Sequence, residues 1–178
     1  MNDLSIRAMC HRDMRHVQDI ASLCFPTPPR NDNEFRLAMY EFRLAMYERD
    51  YHAVVAEQLG GMDRRDEILG YLLYRVHRFS LQILNFAVAP KAQRKGVGTE
   101  LWNRLLRRLT PDRRPEVWAD VDAENVDAQL FLRSRGARAF QIVPGEPEQY
   151  RFSWRLNGHR AFIGTCDTRM EEIEAVVV

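Results

Sequence analysis

The sequence is nearly devoid of lysine: of 26 basic residues, only Lys91 and Lys95 are not arginine. Basic and acidic residues almost cancel, 26 against 25, and the formal charge of +1 carries no bulk electrostatic footprint for a nucleic-acid partner. Cysteine is scarce too. Cys10, Cys24 and Cys166 are odd in number, far apart and without a histidine at metal-ligand spacing, so neither a disulfide framework nor a metal site is expected. Long apolar runs are missing, and MNDLSIRAMC has no basic stretch leading into an apolar one. No membrane partner is expected, and a cytoplasmic location is the default.

What is present fits one compact domain. The 178 residues are 46% hydrophobic and 29% charged, ordinary values for a folded chain of this size. LSIRAM (4–9) alternates as a strand does, and Met14, Val17, Ile20, Ala21 and Cys24 recur at helical spacing. FPTPPRND interrupts with three prolines, and EFRLAMY then occurs twice in tandem, at 34–40 and 41–47. Seven residues are nearly two helical turns, so the duplication predicts a lengthened surface helix whose faces rotate by only about 20°. YHAVVAE (51–57), ILGYLLYRV (68–76) and LQILNFAVA (81–89) read as a strand meander. A helix is predicted over 97–109, a strand over 117–121, a helix over 125–136 closed by glycine, and two last strands in ARAFQIV and QYRFSWRL. That order predicts an α/β chain, of α+β type, with a mixed, mostly antiparallel central sheet flanked by helices.

The segment NFAVAPKAQRKGVGTELW carries the chemistry. A strand enters a loop of Gln93, Arg94, Lys95, Gly96, Val97 and Gly98, and the loop opens a helix. Helix N-termini present unpaired N–H groups to anions, and glycines let the backbone approach a phosphate. A Walker loop needs Lys-Ser/Thr after its second glycine, whereas Thr99-Glu100 follows Gly98. The dinucleotide fingerprint needs a third glycine and an early strand, and both are missing.

What remains, Gln93-Arg94-Lys95-Gly96-Val97-Gly98 within strand–loop–helix, resembles the GNAT superfamily of N-acetyltransferases. The likeness covers roughly residues 3 to 156, and VWADVDAEN, ILNFAV and the FPTPP loop resemble its RimI-like branch, which acetylates protein N-termini. The resemblance implies a domain over 1–156 with the acyl-CoA N-acyltransferase fold and a C-terminal extension, 157–178, ending in the β-prone AVVV that offers a strand or a homodimer interface. It implies acetyl-CoA as cosubstrate. The backbone of Phe86, Ala87 and Val88 would pair with the pantetheine arm, the loop from Gln93 to Thr99 would wrap the pyrophosphate, and Asn125 would lie beside the thioester unless it serves only as a helix cap.

Asp120 falls where that branch carries a glutamate thought to be the general base, and a carboxylate suits removal of a proton from the attacking amine. Two positions depart from the pattern. Gln82 stands where many relatives have glutamate, and Leu132 where a tyrosine commonly protonates the leaving thiolate. Tyr150 or water would then supply the proton, and His77 and His52 are further titrating groups. The resemblance implies an amine acceptor, either a peptide N-terminus or a small molecule. An acyl-CoA-binding regulatory module without turnover and an interaction protein built on the EFRLAMY helix stay open as alternatives.

Overall fold

The computed structural model describes residues 4–25, 47–60, 66–145 and 148–156. The elements are β1 (Leu4–Ala8), α1 (Met14–Cys24), β2 (Tyr51–Gln58), β3 (Glu67–Val76), β4 (Ser80–Val88), α2 (Val97–Leu106), β5 (Glu116–Asp122), α3 (Val126–Ser134), β6 (Arg138–Val143) and β7 (Gln149–Arg155). The tandem EFRLAMY segments lie outside the described residues except for Tyr47, and so does the whole of 157–178. The described chain forms two compact units, one within Met1–His77 and Leu81–Arg108, the other from Arg78–Ser80 and from Leu109 onward.

In the first unit β1, β2, β3 and β4 form an antiparallel meander. ILGYLLY is apolar at successive positions instead of alternate ones, so β3 has no face to leave in water, and Ile68 through Tyr74 are all buried. One face is covered by α2. A Cβ placed on Gly70 would lie 2.8 Å from the Ala87 carbonyl oxygen and 3.3 Å from Leu101, so only glycine admits this approach of helix and strands. Successive side chains of a strand point to opposite faces, and Tyr71 therefore faces away from α2. There it meets α1, which packs on β3 and brings Cys24 near the Tyr71 hydroxyl.

A charged network pins β1 to β2. The Arg7 fork donates to Asp13 at 2.6 and 2.9 Å and to Glu57 at 2.7 and 2.8 Å, and the Cys10 backbone N–H adds a 2.8 Å bond to Asp13. Burial alone would raise the Asp13 carboxyl. The bonds from Arg7 and Cys10 outweigh it and hold the group at about 2.

In the second unit β7 pairs antiparallel with both β5 and β6. β5 alternates as its sequence does: Val117, Ala119 and Val121 are buried, together with Phe152 of β7. The residues between them, Glu116, Trp118 and Asp120, stand on the opposite face across from Arg155, Ser153 and Arg151. The helix expected to reach 109 ends at Leu106, where Arg108 N–H bonds back three residues to Leu105 and tightens the last turn. Leu109 is buried all the same.

Candidate functional site

The turn between β4 and α2 takes an unusual backbone path. Arg94 has φ of 59° and Gly96 φ of 88°, both left-handed, with Gln93 extended before them. Glycine takes that conformation freely, whereas at arginine it costs roughly 1–2 kcal/mol, a strain that tends to mark functional turns. The first intrahelical bond of α2 runs from Glu100 N–H to the Gly96 carbonyl at 3.1 Å. The N–H groups of Val97 and Gly98 precede it and have no carbonyl within the helix to bond. They open at the positive end of the helix dipole, flanked by the exposed Arg94 and Lys95, which have no ionic partner among the described residues.

The Gln93 side chain turns back instead of outward and donates to the Val88 carbonyl at 3.1 Å. The Cys24 thiol reaches the same oxygen at 3.3 Å, and burial pushes that thiol above its ordinary value. In the antiparallel register Tyr71 opposes Ala87 and Leu73 opposes Asn85, with Ala89 N–H bonded to the Leu69 carbonyl. Hydrogen-bonded and non-hydrogen-bonded pairs alternate, so Ala87 spends its peptide groups on β3 while Phe86 and Val88 turn theirs to the other edge of β4. Leu84 has no partner on β3, because Asn85 pairs with Leu73 and Ile83 with Tyr74. This bulge re-aims the strand at Asn85. The Tyr71 hydroxyl, fully buried and kept protonated by that burial, donates to Asn85 Oδ1 at 2.9 Å.

Asp120 sits in the second unit under a two-pronged grip. Arg151 Nε donates to Oδ1 at 2.6 Å and Nη2 to Oδ2 at 2.8 Å, while the guanidinium lies 4.6 Å from the Trp118 ring centroid. The bond to Asp120 holds the Arg151 guanidinium charged more firmly than usual. Each carboxylate oxygen keeps a second lone pair, so the pair can still accept from an amine. Asn125 caps α3, its Oδ1 accepting from Ala128 N–H at 3.1 Å, and its amide nitrogen has no acceptor among the described residues. Leu132 is buried in the core and offers no proton. In the first unit Gln82 Oε1 accepts from His77 Nε2 at 3.0 Å.

Sequence reading missed Arg151, Tyr71 and Asn85. The first had a signal: laying the alternating QYRFSWR antiparallel to EVWADVD sets an arginine opposite the aspartate. The other two depend on a bulge that no local pattern announces. Among the described residues no cluster of His, Cys, Asp and Glu could hold a metal ion, and no helix is long and apolar enough to cross a membrane.

No curated protein matches the chain. Among solved structures it is similar to NAA60 of Arabidopsis thaliana in complex with a bisubstrate analogue, at 16% identity and a TM-score of 0.71, over 88% of this chain and 99% of that one. It is similar to the PaiA N-acetyltransferase of Thermoplasma acidophilum in complex with coenzyme A, at 12% identity and 0.68, over 86% and 99%. It also resembles the ribosomal-protein-S18-alanine N-acetyltransferase of Escherichia coli, at 17% identity and 0.61, over 89% and 99%. These likenesses establish the fold, an α+β fold in which a strand, a turn and a helix follow one another. The Acetyltransferase (GNAT) family matches residues 14–137, a span holding β4, the turn, α2, Asp120 and Asn125, and the chain belongs to that family.

Proposed function

We propose that the chain transfers the acetyl group of acetyl-CoA to a primary amine by direct attack on the thioester. The observation that carries this reading is the turn of Arg94 and Gly96, whose left-handed residues set the first N–H groups of the helix, those of Val97 and Gly98, and two positive side chains around a space suited to a pyrophosphate. From there an extended pantetheine arm follows β4 backward past Val88, Ala87 and Phe86 and bonds to the Val88 N–H, since the Val88 carbonyl already accepts from Gln93 and Cys24. Asn125 contributes its unengaged amide nitrogen beside the arm.

The amine nitrogen attacks the carbonyl carbon, the C–S bond breaks, and coenzyme A leaves as a thiolate. Its thiol has a pKa not far above that of cysteine, so solvent can supply the proton that Leu132 cannot. Asp120 accepts the proton lost by the amine, directly or through water. The acceptor is a peptide N-terminus or a small amine, met in the cytoplasm, and two copies of the chain associate through the apolar AVVV end of the tail.

Calorimetry and a free-thiol assay with a panel of peptides and amines test this together. Wild type should bind acetyl-CoA and release thiol. Gly98→Glu should fold but lose the cofactor, because a carboxylate would intrude on the pyrophosphate. Asp120→Asn should keep cofactor affinity and lose on the order of 10²-fold in turnover. Unchanged acetyl-CoA affinity in a folded Gly98→Glu protein overturns the cofactor site, and binding without thiol release from any acceptor makes the chain a binding module.

A further inference from the structure

Tyr71 and Asn85 form a polar pair that the chemistry above does not use. Tyr71 is wholly buried in the middle of β3, and its hydroxyl is fixed on Asn85 Oδ1. Accepting that bond settles which way the carboxamide faces: its oxygen is turned to Tyr71, and its NH2 is turned away. Asn85 is half-buried, and among the described residues its Nδ2 has no acceptor. The bulge at Leu84 and the buried tyrosine thus act together to present one amide donor.

The place of that donor follows from the same strand. With the pyrophosphate at the turn and the arm running back past Val88 and Phe86, the reactive end arrives at Asn85, roughly 10 Å along the strand at about 3.3 Å per residue. A thioester bonded beside β4 like an added strand lies in the plane of the sheet, so an amine must attack its carbonyl carbon from one face. The Gly70 and Phe86 face is closed by α2, whose Leu101 stands over Gly70. On the other face α1 covers Tyr71, and Asn85, two residues before Ala87 on β4, stays only half-buried, which is the side left for the acceptor.

We infer that Asn85, oriented by Tyr71, donates a hydrogen bond to a carbonyl adjoining the acceptor amine, and so selects α-amino groups of peptides over simple amines. This inference rests on the acetyl-transfer reading and narrows it. Asn85 is the specificity residue, and Tyr71 positions it. An α-amino amide has its carbonyl one carbon from the nitrogen, within reach of a donor beside the reacting centre. A plain alkylamine has nothing there to accept.

The test compares amino-acid amides and short peptides with the matched amines that lack the carboxamide, such as alanine amide with isopropylamine. Wild type should favour the amides in kcat/KM by at least tenfold. Asn85→Asp keeps an acceptor for the Tyr71 hydroxyl and removes the donor. It should raise KM for the amides at least tenfold, with acetyl-CoA affinity unchanged and no such loss for the amines. Tyr71→Phe frees the carboxamide to turn and should raise KM for the amides in the same direction with kcat less affected, a split that general destabilisation would not produce. Calorimetric titration of the coenzyme A-loaded protein with a peptide gives a second readout that needs no turnover, and affinity should fall in both variants. Equal preference for amides and amines in wild type, or unchanged peptide affinity in Asn85→Asp, overturns the inference while leaving acetyl transfer standing. Thiol release from no acceptor, with peptide affinity still lost in the variants, would fault the transfer reading and uphold the role of Asn85.

Discussion

At the scale of single residues, the two best-placed carboxylates are both held by arginine forks, and burial decides what each grip does. Asp120 and Arg151 are each partly open to solvent, at 21% and 29% of the side chain, so the pair orients the carboxylate while leaving lone pairs for an incoming amine. Asp13 is 5% exposed, held by Arg7 and the Cys10 backbone, and serves the fold. Its carboxyl is held at about 2 against an ordinary 3.8, so it binds protons less readily folded than unfolded. The stability this supplies is present above about pH 4 and is lost as pH falls toward 2. Melting curves of wild type and Asp13→Asn should therefore differ most near neutrality and converge as pH drops through that window. Curves separated by the same interval at pH 3 and pH 7 would show that the charge of Asp13 contributes nothing.

At the scale of elements, the closest packing in the first unit is where α2 crosses β3 at Gly70. A methyl group there would have to displace the Ala87 carbonyl, which is backbone and cannot swing aside as a side-chain end could. Gly70→Ala should cost about 1–3 kcal/mol, read as a lower thermal midpoint, and should weaken acetyl-CoA binding because Ala87 lies between the two residues that face the arm. A variant as stable as wild type would mean that β4 shifts freely. Strands, helices and the glycine-containing turn before α2 were legible in sequence because each is a local pattern: continuous apolar residues in β3, alternation in β5, Asn125 at the start of α3, and glycines at the start of α2. Other features depend on register and were not legible. The Arg7, Asp13 and Glu57 network joins residues up to fifty positions apart. The Asp120–Arg151 pair exists only because β7 lies antiparallel to β5, and Asn85 points where it does only because Leu84 is skipped in the ladder.

At the scale of the whole molecule, the last element ends at Arg155, the described residues end at Leu156, and the family match covers 14–137. Everything assigned above to cofactor and acceptor falls inside that span or on β7. The 22 residues that follow, NGHRAFIGTCDTRMEEIEAVVV, are asked only for association between copies, since their last four are apolar and β-prone and would otherwise have no role in the proposed chemistry. A chain cut after Leu156 should accordingly fold, melt cooperatively within a few degrees of the full chain, and bind acetyl-CoA with unchanged affinity. Light scattering should find the full chain as a dimer and the shortened one as a monomer. If the full chain is already monomeric at micromolar concentration, the tail does not join two copies. If the shortened chain loses its thermal transition, residues beyond β7 belong to the core of the second unit, and the domain boundary lies further on.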